Sequence, residues 1–350
     1  MSSVGKNAAL VLFLVSLKAL AASTAPVLKQ TQDGLFIDLL RECIVVANLG
    51  VDSMAEALTD EGMVIKRAAS WRGREGRYVF APPLDAVKVR ITALGRSSIS
   101  QANVAIDDCP AQLSANTARL MTEASHLRLI TYFGGQSDNS LIEDSFNSAL
   151  AGLPTDELPL WRADLLFERA EWHRNSGQHE QATDDWHRAL GLYRLKNNPS
   201  GKAAALNSMG LAAWRQGHPI DAAALFEQAL LIRQSSNNAF AAAAIQNNLG
   251  LLAAEGGDRN SALTHYEQAL TNFQSGIELR GKVDPASAAT LAADVSLTGD
   301  LGSALNTLNN LALLYRDAGQ PALAERYWLN YLAFDGFLPK AVSAAQARHN

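Results

Sequence analysis

One period of 40 residues runs through the second half of the chain and constrains its fold more than any other feature. Aromatic residues recur at this step, and an alanine lies three positions after each of them. The aromatic residues are Phe146, Trp186, Phe226 and Tyr266, and the alanines are Ala149, Ala189, Ala229 and Ala269. A fixed period that holds at several positions is the sequence signature of stacked structural repeats.

Each period also has an internal spacing that predicts two antiparallel helices. A small residue is followed seven positions later by a glycine, then after five more by an alanine and after another four by an aromatic residue. The small residues are Ala170, Gly210, Gly250 and Ala312, and the glycines are Gly177, Gly217, Gly257 and Gly319. Small residues let helix axes approach to about 8–10 Å, and large ones fill the gaps. The predicted repeat core is Trp186, Phe226, Tyr266, Trp328, Ala189, Ala229 and Ala269.

The copies differ in how completely they keep this pattern. Three are complete, at about 161–199, 201–239 and 241–275, and a degenerate first copy contains Phe146 and Ala149. A last copy lies at about 303–336, with Tyr331 in place of the final alanine. Tyr266 and Trp328 are 62 residues apart, so a 22-residue insertion is predicted at about 275–302. Loop-closure cost grows slowly with length, so a repeat array tolerates such an insertion.

The small residue, the turn glycine and the pattern Ala-x-x-x-aromatic-x-x-Ala resemble the tetratricopeptide repeat. The 40-residue step and the stretch "LNNLALLY" (308–315) resemble the longer repeats of kinesin light chains. This resemblance implies a mainly α-helical solenoid over 111–340, followed by a short tail at 341–350. It also implies a concave face, lined by the first helix of each pair, that binds a peptide segment of another protein.

Candidate residues for that face follow from their position relative to the small residue. Asn207, Asn247 and Asn309 lie three positions before it, and Trp214, Arg215 and Arg316 lie four or five positions after it. An asparagine amide offers both a donor and an acceptor, so a row of asparagines can pair with any peptide backbone. In the alternative interpretation, the asparagines tie neighbouring helices together. Asn248 and Asn310 come next and are expected to point toward the neighbouring helix.

Residues 27–110 have short apolar runs and period-two alternation, separated by turn residues, which predicts a small antiparallel β-sandwich. In "AVKVRITAL" (86–94), for example, Val87, Val89 and Ile91 alternate with polar residues. The stretches "NLGVDSMAEALTDEGMVI" and "SWRGREGRYVFAPPLDAVKVRITA" resemble the pre-peptidase C-terminal-like sandwich, which precedes helical repeats in some exported bacterial proteins. Such domains are usually accessory.

Residues 1–24 resemble a signal peptide: Lys6 precedes an apolar stretch, and Ala19-Leu20-Ala21 forms an A-x-A cleavage signal. We therefore expect export to the periplasm or cell envelope, or secretion, and no transmembrane anchor after cleavage. The alternative is a buried N-terminal helix. The two cysteines, Cys43 and Cys109, form a disulfide in an oxidising compartment or remain buried free thiols.

Several function classes are disfavoured by the sequence. A net charge of −5 argues against a nucleic-acid partner. His173, His179 and His187 have no spacing typical of a metal site and are expected on the solvated surface. No phosphate-binding loop, nucleophile motif or paired carboxylates are present, so we predict no catalytic residue, no metal and no cofactor.

The sequence as a whole favours a non-enzymatic protein–protein interaction scaffold. The order of segments also resembles the front part of exported CHAT-domain proteins, which end in a caspase-like peptidase domain. No cysteine follows the repeats here, so a non-catalytic remnant or regulatory half of such a peptidase system is the alternative. A third possibility is an envelope protein that binds glycans through the sandwich, with Trp71 and Tyr78 as contacts.

Overall fold

The computed structural model describes residues 28–31, 34–38, 43–47, 53–58, 61, 63–66, 70–72, 78–80, 88–93, 105–132, 138–236, 238–279 and 295–335. The predicted signal peptide and the tail at 341–350 lie outside the described residues. The chain divides into two compact units, one of residues 1–93 and 98–129 and the other of residues 94–97 and 130–350. The domain boundary predicted after residue 110 lies earlier in the chain than this division.

The described strands of the first unit form two antiparallel sheets. They are β1 (Leu28–Thr31), β2 (Gly34–Asp38), β3 (Ile44–Ala47), β4 (Ser53–Leu58), β5 (Val64–Lys66), β6 (Ser70–Arg72), β7 (Tyr78–Phe80), β8 (Lys88–Ala93) and β9 (Ala105–Asp108). One sheet has the order β1-β2-β8-β4-β5, and the other has the order β6-β7-β3-β9.

Strand β8 pairs with β2 on one side and with β4 on the other. Val89 lies opposite Ile37 of β2 and Ala57 of β4, and Ile91 lies opposite Leu35 and Ala55 in the same way. In the other sheet, Val45 of β3 pairs with Val79 of β7, and both side chains are buried. Face-to-face packing of the two sheets stays a prediction.

A disulfide joins the two strands β3 and β9 at one end of their pairing. Cys43 directly precedes β3 and Cys109 directly follows β9, and their Cα atoms are 5.6 Å apart. Helix α1 (Ala115–Tyr132) begins shortly after Cys109. The Ser114 hydroxyl oxygen accepts the Thr117 backbone N–H at 3.1 Å, which caps the start of this helix. Most of α1 belongs to the first unit, which is why that unit extends past residue 110.

The second unit is helical. Its described helices are α2 (Asn139–Gly152), α3 (Pro159–Asn175), α4 (His179–Leu195), α5 (Pro199–Arg215), α6 (Pro219–Ser235), α7 (Ala239–Glu255), α8 (Arg259–Leu279), α9 (Val295–Asp317) and α10 (Pro321–Asp335). They pack as the pairs α3/α4, α5/α6, α7/α8 and α9/α10, and each pair also contacts the next. Such nearest-neighbour packing defines a solenoid, so the mainly helical repeat fold is confirmed for this unit.

The predicted turn glycines end the first helix of each pair. Gly177, Gly217, Gly257 and Gly319 have φ angles of 78°, 79°, 81° and 72°, a backbone conformation that glycine adopts without a Cβ clash. After α3, the Gln178 N–H donates to the His173 carbonyl and the Gly177 N–H donates to the Arg174 carbonyl. These two bonds form a Schellman motif, and the same pair of bonds follows α5, α7 and α9.

The contacts between small and aromatic residues also follow the predicted spacing. A Cβ atom added to Gly210 would lie 2.7 Å from the Phe226 ring, and one added to Gly250 would lie 2.5 Å from the Tyr266 ring. Trp186 is also fully buried, as are the alanines Ala189, Ala229 and Ala269. Trp328 was predicted to be equally buried but is only half-buried; it lies on α10, the last helix that the structure describes.

The predicted insertion lengthens two helices. Helix α8 has 21 residues and α9 has 23, whereas α3 to α7 have 17 each. The predicted insertion at 275–302 therefore begins within α8 and ends within α9, and residues 280–294 between them lie outside the described residues. Within the described ranges, no helix combines the length and apolarity needed to cross a membrane.

Candidate functional site

One surface of the helix pairs collects the residues that the sequence predicts for binding. We call α3, α5, α7 and α9 the A helices, and α4, α6, α8 and α10 the B helices. Residues at i, i+4, i+7 and i+8 share one side of a helix. On the last three A helices these residues are Asn207, Leu211, Trp214 and Arg215; Asn247, Leu251, Ala254 and Glu255; and Asn309, Leu313, Arg316 and Asp317. We call this surface the A-helix face.

The asparagines of this face bind one another from helix to helix. The Asn248 amide donates to the Asn207 carbonyl oxygen at 3.0 Å, which links α7 to α5. The Asn310 amide donates to the Asn247 carbonyl oxygen at 3.0 Å, which links α9 to α7. In each "Asn-Asn" pair, therefore, the first residue accepts and the second donates.

Asn247 and Asn309 make further bonds within the array. The carbonyl oxygen of Asn247, which is 7% exposed, also accepts the Thr307 hydroxyl at 3.0 Å. The carbonyl oxygen of Asn309 accepts the Trp328 indole N–H at 3.2 Å. The carbonyl oxygen of each of the three predicted asparagines thus accepts at least one hydrogen bond inside the array, which favours the interpretation that asparagines tie helices together. Contact of their side chains with a peptide stays a prediction.

The charged residues of the face are mostly paired with their neighbours. The Trp214 indole N–H donates to the Glu255 carboxylate at 2.7 Å, which connects α5 to α7. On α9, the Arg316 guanidinium and the Asp317 carboxylate lie 2.8 Å apart. Trp214 is half-buried, so part of its ring remains exposed next to this polar contact.

Arg215 differs from the other charged residues of the face. It is exposed, and among the described residues it has no hydrogen-bond or ion-pair partner. Partial burial lowers the pKa of its guanidinium, the positive charge of Arg174 lowers it further, and the negative charge of Glu171 partly opposes both effects. Arg174 itself is paired with Glu171 at 2.9 Å on α3. Arg215 therefore places a positive charge that has no direct ion-pair partner among the described residues at the edge of the face, near the C-terminal end of α5.

Between the asparagines and the charged residues lies a row of leucines that the sequence analysis did not single out. Leu211, Leu251 and Leu313 each follow the small residue of their A helix by one position, and each is half-buried. Leu251 also packs against the buried cluster that contains Tyr266 and Leu311. The signal for this row was present in the sequence, as an apolar residue recurring at equivalent positions of three A helices.

A second polar cluster lies in a pocket of about 430 Å³. The pocket is lined by Glu143 of α2, by Arg169 and His173 of α3, and by Glu180, Gln181, Asp184 and Asp185 of α4. Two nitrogens of the Arg169 guanidinium donate to the two oxygens of the buried Asp185 carboxylate, each at 2.6 Å. In the next helix pair, the apolar residues Met209 and Leu225 occupy the corresponding positions, so the ion pair is specific to α3 and α4 in this comparison.

The expectation that His173 lies on the solvated surface is wrong. Its side chain is buried, with Nδ1 2.6 Å from the Gln178 side-chain oxygen and Nε2 3.6 Å from Asp185. These partners come from the turn and from α4, so they approach His173 only when the pair folds. His179 and His187 are exposed, as expected.

In the third helix pair, His265 of α8 makes a polar contact similar to the one that His173 makes with Gln178. Its Nδ1 atom lies 2.7 Å from the side-chain oxygen of the buried Gln246. Burial lowers the pKa of the His265 imidazole, and the nearby carboxylates of Glu227 and Asp258 only partly oppose this effect. The neutral imidazole is therefore the form that the folded helix pair favours.

Comparison with known proteins agrees with the helical repeats. The tetratricopeptide repeat family profile matches residues 161–235 and 202–275. No curated protein matches the chain. BtubC (BKLC) from P. vanneervenii is a similar solved structure, with 18% identity and a TM-score of 0.49, covering 62% of this chain and 79% of that one.

Two further solved structures have comparable similarity. Pseudomonas aeruginosa PilF has 13% identity and a TM-score of 0.41, covering 66% of this chain and 82% of that one. MamA protein has 14% identity and a TM-score of 0.38, covering 63% and 92%. At these identities and TM-scores, the similarities assign no function to this chain. The family profile and the helix pairs agree over residues 161–275, where the chain is similar to tetratricopeptide repeats.

Proposed function

We propose that this chain is a non-enzymatic scaffold that binds a peptide segment of another protein along the concave side of its repeats. The supporting observation is the A-helix face, where three successive A helices present side chains at equivalent positions. Stacked helix pairs commonly form extended binding surfaces in this way. The half-buried Trp214 is the best candidate for an anchor on this surface, because aromatic residues often dominate binding energy.

The place of action that we propose is the periplasm or the cell envelope. The support comes from the signal-peptide pattern at residues 1–24 and from the disulfide between Cys43 and Cys109. Disulfides form and persist in oxidising compartments outside the cytoplasm. The strands of the first unit, which we propose form a β-sandwich of the pre-peptidase C-terminal type, would then be an accessory domain beside the binding array. No described feature favours the peptidase-related or glycan-binding alternatives.

Site-specific photo-crosslinking tests the binding surface. A photoreactive amino acid is placed at Leu211 on the A-helix face or at Leu231 on B helix α6, where the side chain is 66% exposed. We expect the Leu211 derivative to crosslink to a distinct protein in an envelope fraction, and the Leu231 derivative to give no such product. Identical products from the two positions, or none from either, would contradict a peptide site on the A-helix face.

A further inference from the structure

We propose that the pocket lined by α2, α3 and α4 binds an alkylammonium group, the cation carried by lysine side chains and by free polyamines. The pocket has a volume of about 430 Å³. It lies away from the A-helix face, because Arg169 and His173 are two and six positions after Phe167, the α3 equivalent of Asn207, and so lie on the opposite side of the helix. The proposal is therefore independent of peptide binding on the A-helix face.

The first observation is a buried nitrogen acceptor that receives no hydrogen bond. His173 lines the pocket and is 3% exposed, and its Nδ1 atom lies 2.6 Å from the side-chain oxygen of Gln178. A carbonyl oxygen can only accept, so Nδ1 carries the proton and Nε2 of the neutral imidazole is left as an acceptor. No N–H or O–H group of the described residues donates to Nε2.

The atom that faces Nε2 is also an acceptor. It is the Oδ2 atom of Asp185, which lies 3.6 Å from Nε2. Oδ2 accepts the Nε–H of Arg169 at 2.6 Å, and since a carboxylate oxygen has two lone pairs, one remains for a second donor. Buried acceptors without a donor are unfavourable. A ligand N–H group that reaches both atoms from the pocket removes this cost.

The second observation is the negative charge of the pocket walls. Glu143 of α2 and Glu180 and Asp184 of α4 line the pocket. Asp184 lies 3.6 Å from Arg188, whereas Glu143 and Glu180 have no ion-pair partner among the described residues. The buried ion pair at the base of the pocket adds no net charge. The walls therefore attract a cation and repel an anion.

The third observation is that helix pairs of this array pack without such a polar cluster. At the positions equivalent to Arg169, His173 and Asp185, the next pair has Met209, Ala213 and Leu225. A buried ion pair is weak evidence for a stabilising role, because apolar side chains of similar volume often stabilise a fold equally well. A ligand accounts for the cluster in α3 and α4 better than packing does.

The arrangement favours an ammonium group over other cations. Within the described ranges, no group of three or more His, Cys, Asp or Glu side chains could hold a metal ion. A guanidinium binds best to a carboxylate with both oxygens open to parallel bonds, and Arg169 already binds Asp185 in this way. An ammonium group is compact, and its three N–H donors can reach separate acceptors such as His173 and the carboxylates of the walls.

A proton on His173 is the competing hypothesis. The protonated ring would itself donate from Nε2 toward Asp185 and would leave no acceptor for a ligand. The pocket would then attract any cation by its charge alone, with no preference for one that has N–H groups. This difference can be measured with a cation that has none.

The experiment is isothermal titration calorimetry of the full chain at about pH 7.5 and about 0.05 M NaCl. The probes are putrescine, the blocked peptide acetyl-Ala-Lys-Ala-amide, its arginine analogue, and tetramethylammonium, which has no N–H group. The pocket variant is Glu143→Gln plus Glu180→Gln. The matched control is Glu227→Gln plus Glu267→Gln, at exposed positions of B helices α6 and α8.

A third variant, His173→Ala, removes the buried acceptor. Alanine occupies the equivalent position 213 in the next helix pair, and circular dichroism checks that the variant folds. The comparison of probes on the wild-type chain tests the acceptor even if this variant does not fold.

We expect putrescine or the lysine peptide to bind the wild-type chain with a Kd below about 1 mM, and tetramethylammonium to bind at least about tenfold more weakly. The pocket variant should bind the amine at least about fivefold more weakly, and the control should stay within about twofold of the wild-type chain. His173→Ala should lose the preference for the amine over tetramethylammonium. Tighter binding of putrescine identifies a free polyamine as the source, and tighter binding of the peptide identifies a lysine side chain of a protein.

Four results would overturn the proposal. Equal affinity for tetramethylammonium and the amines would mean that Nε2 of His173 is not an acceptor. Equal affinity of the pocket variant and the control would place the cation elsewhere on the chain. Tighter binding of the arginine peptide than of both amines would assign a guanidinium to the pocket, and no binding of either amine would leave it without an ammonium ligand.

Discussion

At the scale of single residues, a contact between glycine and an aromatic ring sets how closely the two helices of a pair approach. Gly250 of α7 lies directly under the Tyr266 ring of α8, and a Cβ at this position would be 2.5 Å from the ring. The Tyr266 side chain is only 1% exposed, so its ring has little room to move. Burial also raises the pKa of the Tyr266 hydroxyl, which keeps the ring neutral.

We predict that Gly250→Ala destabilises the array. The added methyl group must push α7 and α8 apart, and overpacking of this kind costs about 1–3 kcal/mol. The matched control is Gly191→Ala in the exposed part of α4, where nothing lies within 4 Å of the added Cβ. Since alanine is a better helix former than glycine, this control should gain up to about 1 kcal/mol. Urea unfolding measures the free energy of unfolding of both variants. A Gly250→Ala variant that is more stable than the wild-type chain would contradict the claim that Gly250 lets α7 and α8 approach closely.

His265 leads to a prediction about pH. Burial lowers the pKa of its imidazole below the usual 6.5, so the unfolded chain binds more protons at this site than the folded chain does in mildly acidic solution. The contribution of His265 to stability is therefore fully present above pH 7 and is lost as the pH falls from there toward the folded-state pKa. The loss cannot exceed about 1.4 kcal/mol per pH unit for one site.

The measurement is urea unfolding at several pH values between 7.5 and 5.5, with His265→Gln for comparison. Glutamine does not titrate in this range, so the variant should lose part of the pH dependence while keeping a polar side chain near Gln246. His187→Gln, at an exposed position of α4, is the matched control. If the free energy of unfolding depends on pH equally in the wild-type chain and in His265→Gln, the pKa of His265 does not differ between the folded and unfolded states.

At the scale of helices, the asparagine bonds connect neighbouring A helices in addition to their apolar contacts. Asn247 has the largest role, because its carbonyl oxygen accepts from both Thr307 and Asn310 of α9. These bonds position α9 against α7 even though the insertion separates α8 from α9 in the chain. The polar contact therefore helps to keep the last helix pair in register with the preceding ones.

We predict that Asn247→Ala weakens the docking of α9 and α10. Removing a buried acceptor shared by two donors costs about 1–3 kcal/mol. Hydrogen exchange should show faster opening of amides in α9 and α10 than of those in α3 and α4. The control is Asn260→Ala, at an exposed position of B helix α8. If exchange in α9 stays unchanged, the asparagine bonds do not hold this pair, and a ligand-binding role for Asn247 gains support.

The helix pairs could be predicted from the sequence because small and aromatic residues at one period specify the same contact each time. The turn glycines were predictable for the same reason, since each ends an A helix with a positive φ. The use of the asparagines could not be decided, because helical spacing says which side a residue is on but not which partner its amide reaches. The burial of His173 was missed because Gln178 and Asp185 approach it only in the folded pair.

At the scale of the whole molecule, the chain combines two units with different means of stabilisation. The repeat array of the second unit gains stability from each added helix pair, because every pair buries its faces against its neighbours. The first unit has short strands of three to six residues and a disulfide between Cys43 and Cys109. Since the chain has no other cysteine, reduction changes the covalent structure of the first unit alone.

We predict that reduction destabilises the first unit far more than the array. The disulfide links residues 66 positions apart, and the loop-entropy estimate for such a link is about 4 kcal/mol. In dithiothreitol, or in the Cys43→Ser plus Cys109→Ser variant, hydrogen exchange should accelerate in β3, β7 and β9 while the amides of α5 to α8 keep their protection. Thiol labelling of the native, unreduced protein gives the control, because a formed disulfide leaves no reactive thiol. Quantitative labelling without reductant would contradict the disulfide, and equal acceleration in both units would mean that the array depends on the first unit for its stability.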